Sequence, residues 1–269
     1  MDICIRDEDT ILTDDALHSL LNGIQSEILV TTFINSPYMP IFSVFMQHFP
    51  VECRPQLVVV SIDAASYRHI RTTYPDIVVL LAPYTIAGNK NLFWKFRYEV
   101  FTKMHTISKK HIIHTDSDCI WLRNVLELPL LQNHDYDVVG SIAYGHPMHI
   151  VKKMGFVLCC GFFKICYNEK TSSLLEYIDT RPYNRNIHDD QVKFNRYICF
   201  EHQSKEKTDA GFVLVMKKSG VRILVLADNY ISRSVKSDLY CFHPYLGVPS
   251  IQAKKKTLLS LLEKINKCT

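Results

Sequence analysis

Short runs of apolar and β-branched residues alternate along the chain with longer segments in which apolar residues recur every three or four positions. Alternation of this kind is typical of parallel strands joined by crossover helices. In the first half of the chain it predicts strands over residues 28–34, 57–62, 77–81 and 111–115, and helices over residues 38–48, 64–73 and 89–106. The last helix has the clearest apolar stripe, which consists of Phe93, Phe96, Val100, Met104 and Ile107.

The second half of the chain continues this pattern with less regular spacing. It predicts strands over residues 137–143, 156–165, 212–217 and 222–227, and helices over residues 170–178, 188–199 and 253–267. A loop with Gly145 and Pro147 separates the first two of these strands, and Gly220 marks a turn between the last two. We find no internal repeat, low-complexity stretch or linker in the sequence. We therefore predict one continuous α/β domain over residues 1–269.

The composition is that of a folded domain and excludes several other classes of protein. With 269 residues, 47% of them hydrophobic and 22% charged, the chain is neither a disordered tail nor a miniprotein held by disulfides. A formal net charge of +4 is too small to indicate a nucleic-acid partner. The nine cysteines include no C-x2-C pair of the kind that holds structural zinc. We interpret them as reduced core residues, which is typical of a reducing cytoplasm.

The terminal sequences bear on membrane contact. The N-terminal sequence MDICIRDEDT is acidic and lacks the basic start of a signal peptide, and no apolar run approaches the roughly 18 residues needed to cross a bilayer. We therefore expect a soluble cytoplasmic protein, such as a bacterial or large-virus enzyme, or an excised catalytic domain. The helix over 253–267 is basic and amphipathic. It either packs Leu258, Leu261, Leu262 and Ile265 on the body of the protein or attaches weakly to a membrane surface or a partner.

Candidate chemistry is concentrated where the strand over 111–115 runs into Asp116-Ser117-Asp118. The strand delivers two carboxylates at its C-terminal end, which is the edge where open α/β sheets place their ligands. Mg²⁺ and Mn²⁺ prefer carboxylate oxygens and keep positions open for phosphate oxygens. The pair therefore indicates a site for a metal ion and a diphosphate. A solvated loop or a helix-capping pair is the alternative, since D-x-D also occurs by chance.

These acids lie within a longer series of consecutive elements. The series consists of a helix from about residue 90, the apolar strand, the acids, and then Ile120-Trp121-Leu122-Arg123. In this order the chain resembles the GT-A nucleotide-diphospho-sugar transferases over about residues 27–245, particularly the family that includes plant rhamnogalacturonan-II xylosyltransferases. The resemblance implies a single GT-A domain with a Rossmann-like, mixed and mostly parallel central sheet flanked by helices. It also implies a nucleotide-sugar-binding half over about residues 27–135 and a smaller acceptor-side half over about residues 136–250.

The resemblance also implies which residues contact the donor nucleotide-sugar. These residues are Thr31, Thr32, Phe33, Asn35, Asp63, Lys95, Arg97, Asp116, Ser117 and Asp118. The first five would lie near the base and ribose, and Lys95 or Arg97 would reach the diphosphate by charge-assisted hydrogen bonds. Residues of the same types are common at strand ends and on solvated helices, so a purely structural interpretation of each stays open.

A histidine near the end of the chain completes the implied metal site. His243, in Cys241-Phe242-His243-Pro244-Tyr245, would be the third ligand beside Asp116 and Asp118. One imidazole with two carboxylates is a suitable donor set for Mn²⁺ or Mg²⁺. A structural role for His243 is the alternative, and His114 is interpreted as a strand residue and not as a ligand.

The implied acceptor side carries the groups that would act on the sugar. The segment His188-Asp189-Asp190-Gln191 with Phe194 and Asn195 resembles a D-Q-x-x-F-N signature, in which Asp190 holds sugar hydroxyls or acts as a base and Gln191 lies beside the anomeric carbon. Asp189 or Asp190 could instead cap the helix. In Gly155–Ile165, Cys159-Cys160-Gly161 departs from the family pattern by lacking a polar residue before Gly161. This glycine permits either close approach to a sugar or a β-bulge. The loop residues Tyr144 and His146 are candidates to line the acceptor.

The resemblance implies a metal-dependent glycosyltransferase that uses Mn²⁺ or Mg²⁺ and moves a hexose or pentose from a nucleoside diphosphate to a glycan hydroxyl. UDP is the donor carrier expected, with GDP as the alternative. Retention is favoured by the plant relatives, whereas inversion would use Asp190 as base. Two other classes stay open at this point: a haloacid-dehalogenase-like phosphatase, whose D-x-D follows its first strand, and a non-catalytic sugar-nucleotide or glycan-binding protein.

Overall fold

A computed structural model describes residues 5–7, 10–83, 86, 90–180, 189–236, 238–248 and 250–268. Its strands are β1 (Ile5–Asp7), β2 (Thr10–Leu12), β3 (Ile28–Ile34), β4 (Leu57–Ser61), β5 (Val78–Leu81), β6 (His111–Thr115), β7 (Ile120–Trp121), β8 (Val138–Ala143), β9 (Val157–Ile165), β10 (His202–Thr208), β11 (Gly211–Met216), β12 (Arg222–Leu226), β13 (Ile231–Ser232) and β14 (Cys241–Phe242). Its helices are α1 (Asp14–Gly23), α2 (Met39–His48), α3 (Ala64–Thr73), α4 (Lys90–Ser108), α5 (Pro129–Gln132), α6 (Met148–Met154), α7 (Glu169–Thr180), α8 (Asp190–Glu201) and α9 (Ile251–Cys268).

Within the described ranges, most strands join one eleven-stranded sheet with the order β10-β11-β12-β8-β9-β6-β3-β4-β5-β1-β2. The block β6-β3-β4-β5 is parallel, as is the pair β12-β8, whereas β9 runs antiparallel between β6 and β8. The predicted mixed α/β sheet flanked by helices is confirmed. Because β6 and its parallel neighbours point the same way, their carboxyl ends meet at one edge, and Asp116 lies at that edge.

The core lies on both faces of this sheet, and β3 shows how the sequence divides between them. Leu29 and Phe33 pack in the cluster on one face, whereas Val30 and Ile34 pack in the cluster on the other, as the two-residue period of a strand requires. Helices α1, α4, α7 and α8 cover the first face, and α2, α3 and α9 cover the second. Each fully buried aliphatic or aromatic side chain of this kind stabilises the fold by roughly 1.5–3 kcal/mol.

The C-terminal helix α9 packs its apolar face on the body of the protein, as one of the two interpretations of its sequence expects. Leu258, Leu262 and Ile265 are buried, and Leu261 packs partly buried against the same cluster. Near its start, Nζ of Lys254 donates a 2.7 Å hydrogen bond to the Tyr38 hydroxyl. In the described part of the chain, no helix combines the length and the apolar character that a membrane crossing needs.

Several elements differ from the sequence prediction, among them β10, α6 and α1. β10 is an edge strand with the sequence HQSKEKT, and most of its side chains are exposed. Its sequence therefore shows no alternation of apolar and polar residues from which a strand could be predicted. The predicted loop between β8 and β9 contains α6, which ends at Gly155 with a φ of 88°, a left-handed conformation that glycine adopts without strain. The short amphipathic helix α1 was not predicted. The first residues predicted for α4 and α8, at positions 89 and 188, lie outside the described residues.

Candidate active site

The small sheet β13-β14-β7 brings two distant parts of the chain together at the carboxyl end of β6. β7 begins two residues after Asp118, β14 ends directly before His243, and the two strands pair antiparallel with Phe242 opposite Ile120. Cys119 and Cys241 form a buried contact between the same two parts of the chain, and their Sγ atoms lie 3.1 Å apart. This register sets Nε2 of His243 3.2 Å from Oδ1 of Asp118 and 4.0 Å from Oδ2 of Asp116.

Asp116, Asp118 and His243 converge in a way that suits a metal ion. One potential ligand atom from each lies within 4.8 Å of the other two. Two carboxylates and an imidazole form a hard to borderline donor set, which fits Mn²⁺ or Mg²⁺ and fits a thiophilic metal less well. The residues that the sequence singled out for a metal are therefore brought together, and their donor chemistry is compatible with the ion expected.

Gly161 of β9 lies directly beneath this triad. Its carbonyl accepts a 2.8 Å hydrogen bond from the backbone N–H of Asp116. A Cβ atom at this position would lie 2.1 Å from Cε1 of His243 and 2.7 Å from Oδ2 of Asp116. The space above Gly161 is therefore used by two side chains of the protein itself. The register of β9 against β8 is irregular around this glycine, since Gly140 pairs with Phe163 while Ser141 pairs with Cys159, and this agrees with the β-bulge expected here. The groups that approach Gly161 closely are His243 and Asp116 of the protein itself, and close approach of a sugar stays a prediction.

Arg97 from α4 connects Asp116 of the triad to Asp190 at the start of α8. It is only 3% exposed, and its Nε donates a 2.7 Å hydrogen bond to Oδ2 of Asp190 while its Nη1 donates a 2.9 Å hydrogen bond to Oδ1 of Asp116. Nη2 donates to the Cys160 carbonyl at 3.2 Å, and the guanidinium lies over the Trp94 ring. One buried cation therefore pairs with two carboxylates that belong to different segments of the chain.

Arg97 favours the ionised form of both acids, but the pKa values of the two acids are shifted in opposite directions. Burial would raise the pKa of Asp116, but the Arg97 guanidinium and the hydrogen bond from His114 outweigh it and hold that pKa well below its ordinary range. For Asp190, burial prevails over Arg97 and, with the charges of Asp116 and Asp189, raises its pKa to about 6. At neutral pH both groups are ionised, and Asp190 is the one that is poised to take up a proton.

This raised pKa predicts how the stability of the protein depends on pH. A carboxyl that binds its proton more tightly in the folded state than in the unfolded state stabilises the fold at low pH, and this contribution is lost as pH rises through about 6. Between pH 4.5 and pH 7.5 the free energy of unfolding of the wild type should fall by about 2 kcal/mol relative to that of Asp190→Asn. Urea unfolding of both proteins at the two pH values measures this difference. An equal pH dependence in the two proteins would contradict it.

A cavity of about 460 Å³ opens beside the triad. Its walls include the aromatic residues Phe33, Tyr38, Phe93 and Trp94, the amide Asn35, and the polar residues Arg97, Asp116, Ser117 and Asp118. A cavity with flat apolar walls at one side and charged groups at the other suits a ligand that combines a ring with a charged group.

The other residues expected near the nucleoside have different surroundings. Thr31 and Thr32 are fully buried, and their hydroxyls have no hydrogen-bond partner among the described residues, so Phe33 and Asn35 are the members of this segment that face the cavity. Asp63 caps α3 by accepting from the N–H of Ser66 at 2.8 Å, and it also accepts from the N–H of Ser36 at 2.7 Å. Its carboxylate thereby fixes the loop after β3 and is not among the residues that line the cavity.

Lys95 and Arg97 are only two residues apart but lie on different sides of α4. Nζ of Lys95 is 3.4 Å from Oε1 of Glu99, and its side chain is about one-third exposed, whereas Arg97 is buried between two acids. Positions i and i+2 of a helix point in widely different directions. Arg97 is therefore the one of the two that reaches the candidate metal site in this structure.

Three polar residues in succession, Asp189, Asp190 and Gln191, stand at the start of α8. Asp189 caps the helix by accepting from the N–H of Val192 at 2.9 Å, which is the structural alternative considered for this residue. Oε1 of Gln191 accepts from the N–H of Cys160 at 3.1 Å, and its Nε2 donates to the His146 carbonyl. Oδ1 of Asp190 accepts from the N–H of Gln191 at 2.8 Å. Gln191 and Asp190 are thus fixed beside the triad.

Three residues at the site were not assigned to it from the sequence. Nε2 of His114 lies 3.0 Å from Oδ1 of Asp116, and burial together with Arg97 lowers the pKa of this histidine to about 4. Its position two residues before Asp116 on one strand, and hence on the same face, was the available signal. Cys159 contacts His243, Arg233 contacts Cys159, and nothing in the sequence pattern indicates either contact.

The described residues contain a second group of potential ligands at the opposite end of β6: His111, His134 and Cys166. The backbone N–H of Tyr167 donates a 2.9 Å hydrogen bond to Nδ1 of His111, so the proton of the neutral ring is on Nε2. The buried ammonium of Lys164 also contacts Cys166. Both features oppose a bound cation, and this cluster is therefore a structural contact.

The chain is similar in structure to several known proteins. No curated protein sequence matches the chain. Mouse xyloside xylosyltransferase 1 in its apo form is 11% identical, with a TM-score of 0.50 over 82% of this chain and 99% of that chain. A glycosyltransferase involved in glycosylating the major capsid of PBCV-1 is 7% identical, with a TM-score of 0.48 over 87% and 98%. The galactosyltransferase LgtC, solved with donor and acceptor sugar analogues, is 12% identical, with a TM-score of 0.46 over 89% and 96%.

The similarity to the mouse enzyme concerns the fold alone. The narrower resemblance to plant rhamnogalacturonan-II xylosyltransferases stays a prediction. A sequence model described as nucleotide-diphospho-sugar transferase matches residues 53–246, a range that includes Arg97, both acids of the D-x-D segment, Asp190 and His243. Since this match covers most of the chain, the protein belongs to the nucleotide-diphospho-sugar transferase family.

Proposed function

We propose that the protein is a metal-dependent glycosyltransferase that moves a hexose or pentose from a nucleoside diphosphate, with UDP as the expected carrier, to a hydroxyl of a glycan or glycoconjugate. The observation that carries this proposal is the convergence of Asp116, Asp118 and His243 at the charged side of the aromatic cavity. Family membership favours a transferase over the phosphatase and binding-protein alternatives. The division into a donor half over about 27–135 and an acceptor half over about 136–250 is part of the same proposal.

The donor would lie with its base in the aromatic part of the cavity and its diphosphate beside the triad. Phe33 and Tyr38 offer flat surfaces for the base, and Asn35 offers an amide nearby, although its Oδ1 already accepts a 3.2 Å hydrogen bond from the N–H of Tyr38. Asp116, Asp118 and His243 would hold Mn²⁺ or Mg²⁺. When bound, such an ion neutralises the charge that develops on the leaving diphosphate.

Arg97 would support this chemistry without contacting the sugar. Its guanidinium fixes the Asp116 carboxylate at Oδ1, which leaves Oδ2 facing His243. It also adds a buried positive charge near the position proposed for the diphosphate. A direct role for Lys95 at the diphosphate, together with nucleotide contacts from Ser117, stays part of the proposal.

The surroundings of Asp190 favour the retaining alternative. Oδ2 of Asp190 accepts from Arg97 and Oδ1 accepts from the N–H of Gln191, and the residue is only 5% exposed. A general base must reach the acceptor hydroxyl, and this carboxylate is engaged on both oxygens. In the retaining alternative the donor phosphate takes the proton, Gln191 lines the reacting face and Asp190 holds Arg97 in place. An inverting reaction would require Asp190 to leave Arg97.

The test is a screen of nucleotide-sugars for hydrolysis and transfer in the presence of Mn²⁺, followed by the variant Asp118→Ala. The wild type should consume one donor, and chelation of the metal should stop the reaction. Loss of the Asp118 ligand should lower activity about 10- to 100-fold, because Asp116 and His243 still offer two ligands. The matched control is Asp76→Ala, which removes a surface acid paired with Arg54 at 3.5 Å. Activity of Asp118→Ala equal to that of the control would contradict the metal assignment.

A further inference from the structure

We propose that Cys159 is a positioning residue that orients the His243 ring for metal binding. The inference rests on the proposed function, because it concerns how one of the three candidate ligands is held. It begins from a departure in the sequence: Cys159-Cys160 replaces the polar residue expected before Gly161. In the structure the first of these cysteines contacts the ligand histidine from the side opposite the acids.

The contact uses the ring nitrogen that faces away from the triad. Sγ of Cys159 lies 3.7 Å from Nδ1 of His243, while Nε2 of the same ring lies 3.2 Å from Oδ1 of Asp118. Cys159 is 1% exposed and His243 is 5% exposed, so water does not compete readily at either side. With the sulfur as acceptor for the Nδ1 proton, Nε2 is the nitrogen that is left to ligate.

Arg233 holds the sulfur in this place. Its Nη2 donates a 2.9 Å hydrogen bond to Sγ of Cys159, and it follows β13, the strand that pairs with β14. The backbone N–H of His243 donates to the Ser232 carbonyl at 2.9 Å, so the arginine and the histidine are fixed by the same small sheet. Arg233, Cys159 and His243 therefore form a chain of contacts that ends at the metal-facing nitrogen.

Metal-bound histidines usually donate their second ring N–H to a carboxylate, a carbonyl or water, and loss of such a partner weakens metal binding about 10- to 100-fold. Here a cysteine sulfur stands in that position. A sulfur is a weaker hydrogen-bond acceptor than a carboxylate, and it places no further carboxylate oxygen near the ion. The arrangement thus orients His243 without drawing the metal away from Asp116 and Asp118.

The test compares two variants of similar size. Cys159→Val keeps the volume of the side chain and removes the acceptor, whereas Cys159→Ser keeps an acceptor. Mn²⁺ dissociation constants are measured by electron paramagnetic resonance without a donor, with the buried Cys199→Ala on α8 as control. We expect binding about 10- to 100-fold weaker in Cys159→Val, within about threefold of wild type in Cys159→Ser, and unchanged in the control.

A spectroscopic readout separates orientation from packing. In the Mg²⁺-loaded protein the Nδ1 proton of His243 should exchange slowly with water, and it should exchange faster in Cys159→Val than in Cys159→Ser. Equal Mn²⁺ affinity in the wild type and Cys159→Val, or equal weakening in both variants, would refute the role of Cys159 while the metal site stands. Absence of Mn²⁺ binding by the wild type would instead refute the metal site itself, and the role of Cys159 with it.

Discussion

Gly161→Ala is expected to lower metal-dependent sugar transfer at least about 1000-fold, because the added methyl group meets two of the three candidate metal ligands. The new Cβ would lie 2.1 Å from Cε1 of His243 and 2.7 Å from Oδ2 of Asp116. Neither neighbour can give way cheaply. His243 is held between Cys159 and Asp118, and Asp116 is held by Arg97 and by its own backbone hydrogen bond to Gly161. The rate with the preferred donor and the Mn²⁺ dissociation constant measure the effect.

Two other glycines separate this local effect from a general loss of stability. Gly23→Ala adds a methyl group where nothing lies within 4 Å, so it should leave both activity and stability nearly unchanged. Gly140→Ala on β8 brings a Cβ to 2.8 Å from Leu158, so it should cost about 1–3 kcal/mol of stability while Mn²⁺ affinity stays that of the wild type. A Gly161→Ala protein that binds Mn²⁺ as tightly as these controls would show that the triad is not the metal site.

The parts of the fold that the sequence predicts well are those in which burial follows a simple period. The predicted bounds of β3 and β6 agree with the structure, because both strands lie inside the sheet and consist mostly of apolar or β-branched residues. β10 was missed since an edge strand with solvated side chains carries no such signal. β7, β13 and β14 have two residues each, which is too short for any period to show.

The candidate site also contains some residues that local sequence patterns predict and others that they do not. Asp116 and Asp118 could be singled out because they follow a buried strand directly. His243 could be joined to them only through the resemblance to a family, since the pairing of β7 with β14 spans more than a hundred residues. The contacts of His243 with Cys159 and of Arg97 with Asp190 depend on side-chain packing between separate elements, and local sequence patterns do not encode it.

The position of Arg97 in the sequence of α4 indicates that its side chain is buried. It lies four residues after Phe93 and three before Val100, and therefore on the buried stripe of α4, whereas Lys95 lies off that stripe. A charge on an apolar stripe is costly unless it is paired, so the position of Arg97 indicates that an acidic partner exists but does not identify it. The family resemblance implies that either Lys95 or Arg97 reaches the diphosphate. The helical period distinguishes the one that is buried.

Arg97→Met is accordingly expected to destabilise the fold by about 3–5 kcal/mol, because it leaves a buried carboxylate without its cation. Most of this cost falls on Asp190, whose side chain is 6% exposed, and less falls on Asp116, which is 32% exposed and opens to the cavity. Urea unfolding at pH 7.5 measures the change. The matched control is Lys95→Met on the same helix, which removes a partly exposed lysine near Glu99 and should cost less than about 1 kcal/mol.

Removing the unpaired Asp190 carboxylate as well should restore part of the stability that Arg97→Met loses. The double variant Arg97→Met with Asp190→Asn lacks both the cation and the buried carboxylate, so it should be more stable than Arg97→Met alone. Acidification should act in the same direction. Without Arg97 the pKa of Asp190 rises above its value of about 6, so lowering the pH from 7.5 toward 5 neutralises the carboxyl and restores stability to the single variant. A single variant as unstable at pH 5 as at pH 7.5, with no rescue by Asp190→Asn, would show that Arg97 acts by packing and not by charge.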